Sequence, residues 1–392
     1  MKILIVLTYY RPHTSGLTIY AERLARAFVA RRHQVTVLTS QYEKNLPREE
    51  ERDGVHIVRV PVLFRLSKGV IMPTFGREAN RLVLQNDVIQ LHLPQFDAAG
   101  IALRGRILNK PTVTTYHCDL LMPPGLMNWA ANQAVDLMNN LAGLFTHRFV
   151  TYTKDYADHS PYLRRFMKKV NIIPPPVELP EAGPELVKAF SEQHNPTGRR
   201  PVIGMAARFA TEKGVEVLLS ALPRVLKSFP EALVQFAGPF EKIIGEEAYF
   251  ERLRPLIQKY KASGSWQFLG ILDPTNMAAF YPNLDVLVLP SLNSTEAFGL
   301  VQIEAMLNGV PSVASNLPGV RRPVEEHGMG RIIPIGDAAA LGDALVEVLS
   351  FPEKFKVDRE ALYRRYLPDT IAIEYEKMFT SLLNDLNSNG RP

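Results

Sequence analysis

The stretch "LDVLVLPSLNSTEAFGLVQIEAML" occupies residues 284–307. Leu284 to Leu289 is an almost unbroken apolar run, closed by Pro290, Ser291 and Asn293. A short apolar run bounded by turn residues, with a helical pattern after it, reads as a parallel strand buried on both faces and followed by its covering helix. Two carboxylates, Glu296 and Glu304, stand on either side of the point where that helix should begin at Phe298-Gly299-Leu300. The first N–H groups of a helix have no partner within it and face an anion readily. With Glu296 in the loop and Glu304 about two turns in, the carboxylates would flank such an anion and accept hydrogen bonds from hydroxyls, which they can only accept and never donate. The plainer reading is one N-terminal helix acid and one surface glutamate. It fits Glu304 poorly, because "LVQIEAML" surrounds that residue with apolar side chains.

The same alternation of apolar runs and helical patterns fills the chain. In the first half the runs are "KILIVLT" (2–8), "QVTVLTS" (34–40), "VHIVRVP" (55–61), "DVIQLHL" (87–93), "TVTTY" (112–116), "RFVTYT" (148–153) and "KVNIIP" (169–174). In the second they are "PVIGMAA" (201–207), "ALVQFAG" (232–238), "SWQFLG" (265–270), "LDVLVLP" (284–290) and "VPSVAS" (310–315). Between the two series lie the proline-rich "PPPVELPEAGP" (174–184) and the polar "SEQHNPTGRR" (191–200), the best linker in the chain. The expected architecture is two doubly wound α/β domains, 1–184 and 185–369, in a chain of 392 residues. A last helical pattern, "TIAIEYEKMFTSLLNDL" (370–386), lies beyond the second series and could pack on either domain.

Composition narrows the class further. Cys118 is the only cysteine, so disulfide frameworks and thiolate metal clusters are excluded, and a reducing cytoplasm is expected. "MKILIVLTYYRP" reads as a first buried strand rather than a signal peptide, and no run of 18 apolar residues is present to span a membrane. Residues 1–184 hold 23 Lys and Arg against 15 Asp and Glu, a surplus of +8, while the remainder holds 22 against 25, or −3. The basic first half suggests an anionic partner there.

In open parallel sheets ligands bind at the carboxyl ends of strands, so the residues just after strands are the candidates. Gly16, in "TYYRPHTSGL" (8–17), could bring backbone close to a phosphate or sugar, although a lone glycine is more often plain turn chemistry. It is no dinucleotide fingerprint, which needs three glycines. Arg208 and Lys213, in "RFATEKG" (208–214), bracket a loop that opens a helix, an arrangement suited to a diphosphate. A solvated basic loop is an equally good reading. His117, in "TTYHCDL" (114–120), could donate to a substrate oxygen, or could be a satisfied structural histidine.

Together these segments resemble the retaining nucleotide-sugar glycosyltransferases of glycosyltransferase family 4. The resemblance covers nearly the whole chain. It is carried by Glu296…Glu304 with "AMLNGVPSVAS", by "ARFATEKGVEVLLSAL", and by "DVIQLHLPQ", "TYHCD" and "GLTIYAERLARAFVARRHQVTVLT", all in the family's order. It implies the GT-B fold, two Rossmann-like domains facing a central cleft, with the acceptor on the first domain and the donor on the second, and with a terminal helix (370–388) crossing back to the first. It implies that Glu304 binds the ribose of the donor nucleotide, that Glu296 binds hydroxyls of the transferred sugar, and that Arg208 and Lys213 hold the diphosphate with backbone amides around Phe298, Gly299 and Leu300. His117 would contact the donor sugar, and the loop at Gly16 would close over the site. The family often has two consecutive glycines there, and Ser15 stands at the first of them.

The implied reaction moves a hexose from a nucleotide diphosphate sugar to a hydroxyl of a lipid, saccharide or small metabolite. No residue is identified as a nucleophile, so front-face attack with retention is expected, without a metal, a further cofactor or nucleic acid. A nucleotide-sugar 2-epimerase of the same fold and a non-catalytic sugar-nucleotide binding module remain alternatives. "LLMPPGLMNWAANQAVDLMNNLAGLF" (120–145), with Trp129, and "YLRRFMKKV" (162–170) suggest peripheral association with an anionic membrane, on its cytoplasmic face. Ordinary core beside a solvated basic helix face is the competing reading of both segments.

Overall fold

The structure is a computed structural model that describes residues 1–66, 69–119, 126–243, 245–356 and 358–389. The chain divides into two compact units, Met1–Val177 with Arg365–Pro392, and Glu178–Arg364. The division falls a few residues before the 184/185 boundary read from the sequence. Val177 is fully buried and its N–H is bonded to the Tyr366 carbonyl, which ties it to the first unit.

In the first unit the strands are β1 (Lys2–Val6), β2 (Gln34–Gln41), β3 (Glu49–Arg52), β4 (Val55–Pro61), β5 (Phe64–Leu66), β6 (Gly69–Ile71), β7 (Val88–Leu93), β8 (Thr112–Tyr116), β9 (Arg148–Thr151) and β10 (Val170–Ile172). Eight of them form one sheet in the order β10-β9-β8-β7-β1-β2-β4-β3, with only β3 antiparallel. β1 is central, pairing Ile3 with Val35 on one side and with Val88 on the other. The chain builds outward through β2 and β4, then returns to β1's other flank and builds outward again from β7. The direction therefore reverses between β1 and β7. β7 is buried at every position, including Gln90 and His92, two polar residues inside an apolar run.

In the second unit β11 (Val202–Ala206), β12 (Leu233–Ala237), β13 (Trp266–Gly270), β14 (Val286–Leu289), β15 (Ser312–Ser315) and β16 (Gly330–Ile333) form a fully parallel sheet ordered β13-β12-β11-β14-β15-β16. This is the strand order of a doubly wound nucleotide-binding fold, and its reversal lies between β11 and β14. One face of the sheet is sealed by a core containing Phe209, Leu218, Phe236, Trp266 and Val288, the other by Phe190, Phe280, Leu287 and Ala305.

Every apolar run quoted above forms a strand. Three kinds of element were not read. β3 is the segment "EEER", an exposed edge strand with no apolar residue. β5 and β6 make a small hairpin, and β16 is short. The linker reading also needs correction. Residues 174–183 and 195–200 are irregular, as a linker would be, but 184–194 between them form a helix, so the two quoted stretches are not one connector. Pro184 sits at the helix's first turn, where its missing N–H costs nothing, and Phe190 is buried against Phe280. The terminal helix Pro368–Asn389 packs in the first unit. Its Tyr375 hydroxyl lies 2.8 Å from the Tyr20 hydroxyl and 2.7 Å from Thr115 Oγ1, and Glu376 takes two bonds from the Arg31 guanidinium at 2.5 and 2.9 Å. Among the described residues no helix is long and apolar enough to cross a membrane.

Candidate active site

In the second unit the loops after β11 and β14 are neighbours because the two strands are. The loop after β11 turns at Gly214, in the left-handed region (φ 68°). A Cβ at this position would run into the Pro290 carbonyl oxygen, so the two loops approach as closely as only glycine allows. The Leu292 N–H bonds to the Glu212 carbonyl at 2.9 Å and fastens them together. This contact places Lys213 Nζ 2.7 Å from Glu296 Oε2, joining residues that are 83 positions apart. Burial alone would depress the Lys213 ammonium. Glu296, with Glu212 behind it, more than offsets that and raises its pKa above the ordinary lysine value. Arg208 forms an ion pair with Glu212, four residues further along the same loop.

The segment from Glu296 to Glu304 turns at Gly299 (φ 80°), where a Cβ would meet the side chain of Leu289. The helix starts at Leu300 and runs to Leu307. Glu304 is thus little more than one turn in, not two, because Glu296, Ala297 and Phe298 belong to the turn. Phe298 is buried and anchors that turn. Gln302 fixes the helix start from within. Its amide donates to the carbonyls of Phe298 and Val320, each at 2.9 Å, and accepts from Ser312 Oγ at 3.1 Å. Glu304 is 6% exposed, and its Oε2 accepts from the Tyr281 hydroxyl at 2.6 Å. Arg208, Lys213, Glu296, Gly299, Leu300 and Glu304 therefore all lie on the two loops and the helix at the reversal point between β11 and β14.

In the first unit Gly16 opens the helix Gly16–Ala30, with open space where a side chain would go. Ser15 is the helix cap, its hydroxyl accepting from the Thr18 N–H at 3.2 Å. That gives the serine at the first glycine position a structural task. His117 follows β8 and is buried. Its Nε2 lies 2.8 Å from His92 Nδ1, its Nδ1 is bonded to the Tyr152 hydroxyl, and its own N–H donates to the Leu93 carbonyl. Burial, and then the neighbouring His92, lower the His117 pKa well below the usual value, so the ring is neutral at neutral pH. Both ring nitrogens are engaged inside the unit.

Glu212, Gln302, Tyr281 and His92 escaped the sequence reading. Glu212 carried a signal, as the acid standing between the two cations Arg208 and Lys213 of the quoted loop. The other three become partners only through tertiary packing. Among the described residues no group of three or more His, Cys, Asp or Glu side chains is disposed to hold a metal ion. Trp129 and residues 120–125 of the proposed membrane segment lie outside what the structure describes of side chains.

Comparison with known proteins agrees with this fold. Residues 187–362 match the family described as glycosyl transferases group 1, and residues 14–180 match glycosyltransferase family 4. The phosphatidyl-myo-inositol mannosyltransferase of Mycobacterium leprae is 32% identical over 173 residues, which is 43% of either chain, so the match spans less than half that relative's length. An uncharacterised glycosyltransferase of Methanocaldococcus jannaschii is 25% identical over 390 residues, covering 95% of this chain and 96% of its own. Among solved structures, Anabaena HepE in complex with UDP-glucose superposes with a TM-score of 0.77 at 19% identity, over 97% of this chain and all of that one. This likeness shows the GT-B fold.

Proposed function

The chain belongs to glycosyltransferase family 4, and from that premise we propose that it transfers a hexose from a nucleotide diphosphate sugar to an acceptor hydroxyl, with retention at the anomeric carbon. The observation that supports this most is the Lys213–Glu296 pair, set beside Arg208 and the Leu300 helix start at the reversal point of the second sheet. As the bond from the anomeric carbon to the diphosphate oxygen breaks, negative charge grows on the phosphate and positive charge on the sugar. Arg208, Lys213 and the first helix N–H groups are fixed where they stabilise the former without reorganising. Glu212 and Glu296 hold the two cations in place before any ligand arrives. Glu296 accepts from sugar hydroxyls and Glu304 from the ribose, with Tyr281 orienting the Glu304 carboxylate. The acceptor oxygen forms the new bond on the face the diphosphate leaves, and the departing phosphate oxygen takes its proton. Two cations meet the charge that a divalent metal would otherwise neutralise, so the reaction proceeds without one. The acceptor belongs to the first unit, and its anionic or membrane-bound form would suit the basic surplus there.

The test is incubation with UDP-, GDP- and ADP-hexoses, with and without acceptors, followed by NMR of the anomeric configuration. Slow hydrolysis or transfer with retention is expected. Interconversion at C2 would replace the proposal with an epimerase, and binding without turnover would replace it with a binding module.

A further inference from the structure

The second unit holds a groove of about 600 Å³ at the end of its sheet opposite the loops that carry Lys213 and Glu296. Asn283 and Asn308 line it, and they stand just ahead of β14 and β15, at the amino ends of these strands. One wall is a face of the helix Pro184–His194, formed by Pro184, Val187 and Lys188. Arg359, at the start of the helix Arg359–Tyr366, completes the lining on another side. The volume is in the range of sites that take one small metabolite, roughly 300–1,000 Å³.

The lining carries two cations and, among the described residues, no acid. Arg359 spends its Nε on the Leu307 carbonyl at 2.7 Å, which holds the guanidinium and leaves its terminal nitrogens as a fork for an oxyanion. Asp358 beside it is occupied with the N–H groups of Glu360 and Ala361, at 3.0 and 3.1 Å. Lys188 lies 3.8 Å from Glu192, but both side chains are largely exposed and such a pair is worth little against a ligand. A phosphate ester, with a charge of roughly −2, suits two cations supplied by separate segments. Asn283 gives both amide hydrogens to the carbonyls of Val187 and Ala279, at 3.0 and 2.9 Å, so only its Oδ1 remains, an acceptor for a hydroxyl.

The groove also reaches Glu304 from two sides. Tyr281, whose hydroxyl donates to Glu304 Oε2 at 2.6 Å, shares the turn Tyr281–Asn283 with Asn283. Asn308 donates to the Glu304 carbonyl at 2.9 Å, and Arg359 holds the last carbonyl of the helix Leu300–Leu307. Anything that pulls on Asn283, Asn308 or Arg359 therefore acts on the turn or the helix that places the Glu304 carboxylate. We propose that the groove is a second ligand site, for a small phosphorylated polyol, and that its occupant and the nucleotide change each other's affinity through these two elements. The site stands apart from the transferase reading. The coupling rests on that reading, through the placing of Glu304 at the ribose.

The test titrates the full chain calorimetrically with glucose 6-phosphate as the probe, and with glucose and inorganic phosphate as controls. Glucose 6-phosphate should bind at least about tenfold more tightly than either control. Arg359→Gln and Lys188→Glu, at exposed positions that tolerate change, should each weaken it at least about tenfold. Saturating glucose 6-phosphate should change the Kd of UDP or GDP, whichever binds, at least about fivefold, and the nucleotide should change the glucose 6-phosphate Kd by the same factor. Lys188→Glu should leave nucleotide affinity unchanged when glucose 6-phosphate is absent. No binding of glucose 6-phosphate, or equal binding by wild type and both variants, overturns the site. Equal affinity for inorganic phosphate overturns the polyol, and an unchanged nucleotide Kd overturns the coupling. Failure of both nucleotides to bind would instead sink the transferase reading and leave the glucose 6-phosphate result standing.

Discussion

Lys213 is held between a burial that opposes its charge and a glutamate that supports it. Its replacement by alanine leaves Glu296 without its partner and removes a cation from the leaving phosphate. Charge-assisted bonds of this kind are worth about 1.5–3 kcal/mol, so Lys213→Ala should lower turnover at least about 10- to 100-fold while the protein stays folded. Glu304→Gln keeps the Tyr281 contact in shape but not in charge, and the same loss is expected. Steady-state kinetics beside circular dichroism checks both, and wild-type rates would remove these residues from the site. Glycines discriminate in the same way. Gly16 has open space around it, so Gly16→Ala should melt like the wild type and show any effect only in donor KM. Gly214→Ala combines a positive φ with a backbone collision and should cost at least about 1–3 kcal/mol, read as a lower unfolding midpoint in urea. The candidate residues were legible because strand ends can be read from apolar runs. Their partners were not. Glu304 finds Tyr281, and His117 finds His92 and Tyr152, only once separate strands and helices have packed.

At the scale of elements, continuous apolar runs such as "VLVL" and "KILIV" gave themselves away because strands buried on both faces have no polar side to confuse the pattern. β3 did not, since an edge strand of glutamates and an arginine is solvated and looks like loop. The helix Pro184–His194 was hidden by the prolines before it. The terminal helix illustrates what pattern alone leaves open, because its apolar face could have served either unit. Its attachment makes two predictions. Tyr375→Phe strips the hydroxyl that joins Tyr20 and Thr115 in a buried site, which should cost about 1–3 kcal/mol in chemical denaturation. The Glu376 pKa is lowered, chiefly by its bonds from Arg31 against the opposing effect of burial. A depressed carboxylate stabilises above its unfolded value, about 4.3, and that contribution disappears as pH falls through the lower folded value. Wild type should therefore lose its thermal advantage over Glu376→Gln as pH drops from 5 towards about 3, whereas a constant difference across that range would assign the bond no electrostatic worth.

For the whole molecule, the charge surplus of residues 1–184 has a physical correlate on the first unit. Ile107, Leu137 and Leu144 are exposed large apolar side chains, and Lys168 stands among the exposed residues of the basic segment 162–170. Each cation near an anionic leaflet is worth about 1 kcal/mol, so co-sedimentation with anionic vesicles that weakens with salt is the expected outcome. Indifference to vesicles at low salt would favour the competing view of a solvated helix face. The first unit is closed by its terminal helix. The chain leaves the unit after Val177 and re-enters at Arg365, and at that gate the Val177 N–H meets the Tyr366 carbonyl at 2.8 Å. The second unit is thus spliced into the first as an insertion. During synthesis, residues 178–364 emerge and can complete their own sheet while Tyr20 and Arg31 still wait for Tyr375 and Glu376, and Phe28 for Phe379, whose ring centroid comes to lie 5.9 Å from its own. The half of the protein that begins first is finished last, and until the final helix docks, the newborn chain carries an unsealed apolar groove that a chaperone would be expected to cover.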